Sequence, residues 1–121
     1  MKLFTQAQHA RLLANGRVTA AAHDAGHETP DHVPVIKLFT PDANATWLIT
    51  EITAHDGDLA FCLADLGMGT PELGHVSIEE LRGIRGALGL PVERDLYTEL
   101  DQPISAYAAR ARAARHITTD L

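Results

Sequence analysis

The chain has 121 residues, 45% of them apolar, with 16 acidic and 10 basic side chains and a formal net charge of -6. That length suits one domain, residues 1–121, with a core of its own, and the acidic balance argues against a broad nonspecific nucleic-acid surface, which takes clustered Lys and Arg. The lone cysteine, Cys62, excludes an intramolecular disulfide, and no run reaches the ~18 apolar residues of a membrane helix, so the expected setting is the reducing cytoplasm without membrane contact.

The opening MKLFTQAQHARLL is broken by Gln6, Gln8, His9 and Arg11, unlike a signal peptide. Thr5-x-x-Gln8 has the capping-box spacing, in which the hydroxyl takes an early helix N–H and the glutamine reaches back. With Ala7, Ala10, Leu12 and Leu13 behind it and Asn15-Gly16 as a stop signal, a helix is predicted over 5–15. The alanines of RVTAAAHDA favour continuation, and Gly16 opposes it. Residues 24–34, DAGHETPDHVP, carry two prolines and a glycine among polar groups and read as a polar loop.

Three β-branched or aromatic runs follow: VIKLF (35–39), TWLITEIT (46–53) and LAFCLADL (59–66). Their separators, TPDANA and AHDGD, are turn chemistry and too short for parallel crossovers, so an antiparallel meander is predicted. A fourth strand is expected near 73–77. Ser77-x-x-Glu80 then repeats the capping box, with Val76 and Leu81 as its staple, ahead of a helix over 78–86. VERDLY is a candidate edge strand. Pro103 suits the first turn of a final helix, 103–116, with Ile104, Tyr107, Ala108 and Ala111 on its apolar face and Arg110, Arg112 and Arg115 near its negative end. The fold class is therefore α+β: an antiparallel sheet of about four strands with helices packed mainly on one face.

Symmetric hairpins would sort the strand residues onto two faces. One would hold Ile36, Leu38, Leu48, Thr50, Ile52, Ala60, Cys62, Ala64 and Leu66, and is nearly all apolar. The other would hold Val35, Lys37, Phe39, Trp47, Ile49, Glu51, Phe61, Leu63 and Asp65, mixing aromatics with charges that are costly to bury unpaired. Two readings of this second face stand open. In one, Lys37 pairs with Glu51 while Trp47 and Phe61 lie beneath the C-terminal segment. In the other, the face is an exposed binding platform of Lys37, Phe39, Trp47, Glu51, Phe61 and Asp65, extended by Glu72.

The stretch ADLGMGTPELGHVSIEEL, 64–81, poses the question of a phosphate loop. Glycines do follow a strand, but the helix begins only at about 78, no Gly-Lys-Ser or Gly-Lys-Thr is present, and Glu72 would repel a phosphate. A bend is the better reading, with glycines at positive φ. Glu51 and Asp65 share the mixed face but fall ~13 Å apart in symmetric register, too far for a carboxylate pair of the glycosidase type. Asp65, Glu72 and His75 around the glycine loop form the alternative catalytic set. His23, His27 and His32 are the alternative metal ligands, although Gly26 and Pro30 interrupt the helix that two of them would need. Cys62, mid-strand on the apolar face, is expected to be inert, and no G-x-S-x-G elbow exists.

The same residues carry a resemblance. VIKLFTPDANATWLITEI, DLAFCLADLGMGTPELGHVSIEEL, GLPVERDL and ISAYAARARAA resemble a bacterial family of domains of unknown function, over about residues 1–115, with DLG-x-G-x-PELG as the specific core. Cys62 stands where that pattern has glycine, Ala64 where it often has cysteine, and His75 where it has an aromatic. The resemblance implies a short cytoplasmic protein common on plasmids and other mobile elements, and brings no activity with it. The expected function is that of a non-catalytic accessory protein, without a cofactor, that binds a macromolecular partner. A protein is the first candidate, given the acidic balance. Single-stranded nucleic acid is the second, by stacking on Trp47 and Phe61 beside Lys37. The alternative is a small hydrolase or metal-dependent enzyme using Asp65, Glu72 and His75.

Overall fold

The computed structural model describes residues 2–119. In chain order it contains α1 (Gln6–Asp24), β1 (Ile36–Phe39), β2 (Thr46–Ile52), β3 (Leu59–Asp65), β4 (Glu72–Ser77), α2 (Ile78–Gly83), β5 (Glu93–Arg94) and α3 (Ile104–Ala114). The α+β class and the antiparallel meander β1–β4 stand as expected. The short β5 adds a fifth strand on the outer side of β1, giving the order β4-β3-β2-β1-β5.

The first helix opens on the predicted capping box: Gln8 N–H donates to Thr5 Oγ1 (3.1 Å) and Thr5 N–H to Gln8 Oε1 (2.9 Å). Gly16 does not stop it. A Cβ at Gly16 would lie 1.8 Å from the Ile52 carbonyl oxygen, so this glycine marks a close approach of helix to strand. β1 pairs with β2 only over Thr46–Ile49. Beyond that point α1 takes over the vacated edge, where Asn15 Nδ2 donates to the Thr50 carbonyl (2.9 Å). A bare strand edge would leave such groups without partners.

The symmetric register holds for only half of the β2–β3 hairpin. Glu51 does oppose Phe61, but Thr46, not Trp47, opposes Asp65, and Trp47 opposes Ala64. The pairing slips between Ile49 and Glu51, where Thr50 is an extra residue on β2. One inserted residue reverses the alternation on one side of a bulge. Trp47 and Ile49 therefore share a face with Cys62, and Leu48 lies on the opposite face with Leu63, the reverse of the expected placement.

Each face buries its own cluster. On the Trp47 side, Ile36, Leu38, Ile49, Ile52 and Cys62 pack with Leu3, Phe4 and Leu12 and with Ile78 and Leu81 of α2. On the other side Leu48 and Leu63 are covered by Ile104, Tyr107, Ala108 and Ala111, the predicted apolar stripe of α3. Pro103 is the N-cap of α3 and offers no side-chain hydrogen bond. Residues 31 and 32 cap it instead: Ile104 N–H donates to the His32 carbonyl (2.9 Å), Ser105 N–H to Asp31 Oδ1 (3.1 Å), and the Ser105 hydroxyl to Asp31 Oδ2. The segment between α1 and β1 is thereby tied to α3.

Candidate functional site

Apart from Glu72, exposed at the start of β4, the expected binding residues are distributed over three environments. Trp47 is only 3% exposed and belongs to the core, so it forms no platform with Phe61. Lys37, Phe39 and Asp65 line a groove of about 550 Å³ beside the β1–β2 turn, closed by Arg115, His116 and Ile117. Lys37 pairs there with Asp95 (3.6 Å), not with Glu51. Burial raises the Asp95 carboxyl, but donors from Tyr97 and Thr98 together with Lys37 outweigh it and hold the group below its usual range. Asp65 is a structural brace: Oδ1 accepts Gly67 N–H and Oδ2 accepts Ile117 N–H, both at 2.9 Å.

The glycine loop is a bend. Gly67 and Gly69 both sit at φ +80, a side chain at Gly67 would strike Asn44, and the whole of β4 separates the loop from α2. The alternative catalytic set does not converge. Glu72 pairs with Ala64 and so points away from the face of Asp65, while His75 pairs with Phe61, four positions along β3 from Asp65.

The histidines are not gathered as metal ligands either. α1 reaches His23 but ends at Asp24, and Gly26 at φ +72 turns the chain before His27. His32 is engaged elsewhere. Among the described residues no group of three or more His, Cys, Asp or Glu side chains is placed to hold a metal ion. Burial pushes the Cys62 thiol up to about 12, which keeps it protonated and unreactive at neutral pH.

Glu51 and Phe61 meet in a second concavity of about 320 Å³, walled by the C-terminal half of α1, by Thr29 and Pro30, and by β2–β4. Glu51 is 7% exposed and forms part of its lining. The Thr19 hydroxyl donates to Glu51 Oε1 (3.0 Å), and Thr19 Oγ1 itself lies 3.0 Å from His32 Nε2. A hydroxyl has one proton, so if it goes to the carboxylate the imidazole must donate, which assigns the Nε2–H form to His32. The chain His32–Thr19–Glu51 thus links the segment between α1 and β1, α1 itself and β2, and fixes the carboxylate. Among the described residues no second hydrogen bond reaches it.

The pocket wall is completed by Phe61 and His75, whose rings meet edge to face at 5.3 Å, and by His23 and His55. Asp24 is the other carboxylate of the lining, and no Lys or Arg lines it. Such an arrangement can accept hydrogen bonds and balance positive charge, and it offers an anion no permanent cation. Sequence reasoning singled out Glu51 and Phe61 but missed Thr19 and His55. The available signal was Gly16, a helix-interior glycine that brings α1 against β2 and Thr19 over Glu51.

A family model described as "Protein of unknown function (DUF2958)" matches residues 3–118. No curated protein and no solved structure matches the chain.

Proposed function

The chain belongs to the DUF2958 family, whose description carries no activity, and on that footing we propose that it is a non-catalytic accessory protein of the cytoplasm that binds a protein partner through the Glu51 pocket, in a mobile-element setting. The observation that carries this reading is the buried carboxylate of Glu51, held by Thr19 and facing a concavity with no Lys or Arg among its described lining residues. A buried charge without a counter-charge is costly, so a surface that keeps one in a concavity is suited to a partner that supplies it. The overall charge of -6 favours a basic protein segment in the same sense. Single-stranded nucleic acid is the weaker partner class, because Trp47 is buried and Phe61 alone remains for stacking. The hydrolase alternative loses its support with the divergence of Asp65, Glu72 and His75.

Photo-crosslinking in the host cell tests the reading. A photoreactive residue in place of Thr29 or His55, at the pocket, is expected to capture a recurrent protein adduct, whereas one in place of Tyr97, exposed and outside the pocket, is not. Nucleic-acid adducts at the pocket, or no adduct there, would overturn it.

A further inference from the structure

We infer that the group received by the Glu51 pocket is the guanidinium of an arginine side chain presented by the partner. This deepens the reading of the pocket as the partner-facing site and rests on it.

Among the described lining residues, Glu51 and Asp24 are carboxylates and none is Lys or Arg; the only basic groups are His55, His75 and His23, the last of which lies 3.8 Å from Asp24, so an anionic occupant would meet two carboxylates and no permanent cation. A purely apolar occupant would displace water from Glu51 while returning no donor, leaving a buried carboxylate with the Thr19 hydroxyl as its one hydrogen-bond partner. A cation of side-chain size satisfies both conditions. The volume of about 320 Å³ lies at the lower end of ligand pockets, which run roughly 300–1,000 Å³, and so suits one long side chain rather than a cofactor.

Guanidinium is favoured over ammonium by the walls. Oε1 of Glu51 already receives the Thr19 proton, which leaves Oε2 and the outer lone pair of Oε1 side by side for the parallel N–H donors of a planar fork. Phe61 lies beside the carboxylate, as its cross-strand partner, and lines the cavity with an aromatic ring, the kind of neighbour that favours a flat, weakly hydrated cation. The hydroxyls of Thr19 and Thr53 are further acceptors for a group with five donors. A compact ammonium would use one carboxylate oxygen and keep more of its hydration shell.

The test uses N-acetyl-arginine methylamide as the probe, followed by amide and side-chain NMR shifts of the full chain. Saturable shifts at Thr19, Glu51, Phe61 and His75 are expected. The citrulline analogue, which is similar in shape but neutral, should bind about tenfold more weakly or worse, and the lysine analogue should also bind more weakly. E51Q should lose the arginine response while Trp47 emission, a report on the intact core, is unchanged. Equal binding of arginine and citrulline overturns the inference on the unmodified protein, with no dependence on whether the variant folds. Equal binding of lysine and arginine overturns the guanidinium assignment. A protein crosslinked at the pocket without arginine selectivity would sink this inference alone; arginine selectivity without any crosslinked protein would sink the partner reading instead.

Discussion

Gly16 sets two residue-scale preferences against each other. Within a helix, alanine is favoured over glycine by ~1 kcal/mol. Here the added methyl would sit 1.8 Å from the Ile52 carbonyl oxygen and 2.9 Å from its carbon, and both are backbone atoms that no rotamer change can move aside. Overpacking of this kind costs ~1–3 kcal/mol, and more when the obstacle is rigid. The steric effect wins: G16A is expected to destabilise the protein by ~2 kcal/mol net, read as a lower urea midpoint at unchanged slope. G83A, at the last residue of α2, where no atom lies within 4 Å of the new Cβ, is the control without a clash and should leave the midpoint unchanged or raise it slightly. The same close approach holds Thr19 over Glu51, so G16A should also broaden or shift the Thr19 and Glu51 resonances.

At the scale of elements, α2 and α3 each take part of their N-terminal cap from another piece of chain, whereas α1 is capped locally by Thr5 and Gln8. α2 is the clearest case. Ser77 accepts Glu80 N–H as the sequence predicts, but Asp58, from the β2–β3 turn, supplies the rest: its Oδ1 accepts Glu79 N–H (2.9 Å) and its carbonyl accepts Ile78 N–H (2.8 Å). The Ser77 hydroxyl, then Glu79 N–H, hold the Asp58 carboxyl below its ordinary value of 3.8, against a small opposing effect of burial. A depressed carboxyl stabilises the fold above the unfolded value and stops doing so as pH falls through the lower folded one. The cap should therefore be intact at neutral pH and lost only below about pH 3.8, seen as an upfield move of the Glu79 amide on acid titration; movement centred well above that value would contradict the cap. These cross-chain partners explain what the sequence could and could not reveal. The stripe Ile104, Tyr107, Ala108 and Ala111 was legible because its spacing is local, as were the strands with their β-branched runs. The face of Trp47 was not, because Thr50 enters β2 as an extra residue with no glycine or proline to mark it. Gly16 resembled a stop signal because the carbonyl it approaches lies 36 positions away. The Glu51 pocket stayed hidden for the same reason, its supporting hydroxyl being 32 positions from the carboxylate.

At the scale of the whole molecule, the sheet separates two cores and β2 belongs to both. Trp47 and Ile49 face the Leu12 and α2 side, whereas Leu48, between them, faces α3. Neither cluster can lose its packing without removing one side of the same strand, so the two are expected to melt together. The chain carries its reporters in suitable places. The single tryptophan, Trp47, sits in one core, and Tyr107, fully buried with its hydroxyl oxygen accepting Asp101 N–H (3.1 Å), sits in the other. Urea unfolding followed by Trp47 emission and by a fluorinated Tyr107 should give superimposable curves, the signature of one cooperative unit. Tyr97, 90% exposed, serves as the internal reference that barely responds. A Tyr107 transition at lower urea would instead make α3 a separable flap. That outcome would reach the functional site, because Phe61 packs against the α3 cluster and also lines the Glu51 pocket. Asp31 and His32 bind the α3 N-terminus while His32 holds Thr19, so an undocked α3 would loosen both the ring wall and the support of the carboxylate. Coincident curves would mean that α3 does not undock ahead of the sheet, so that the ring wall and the support of the carboxylate are lost only with the whole fold.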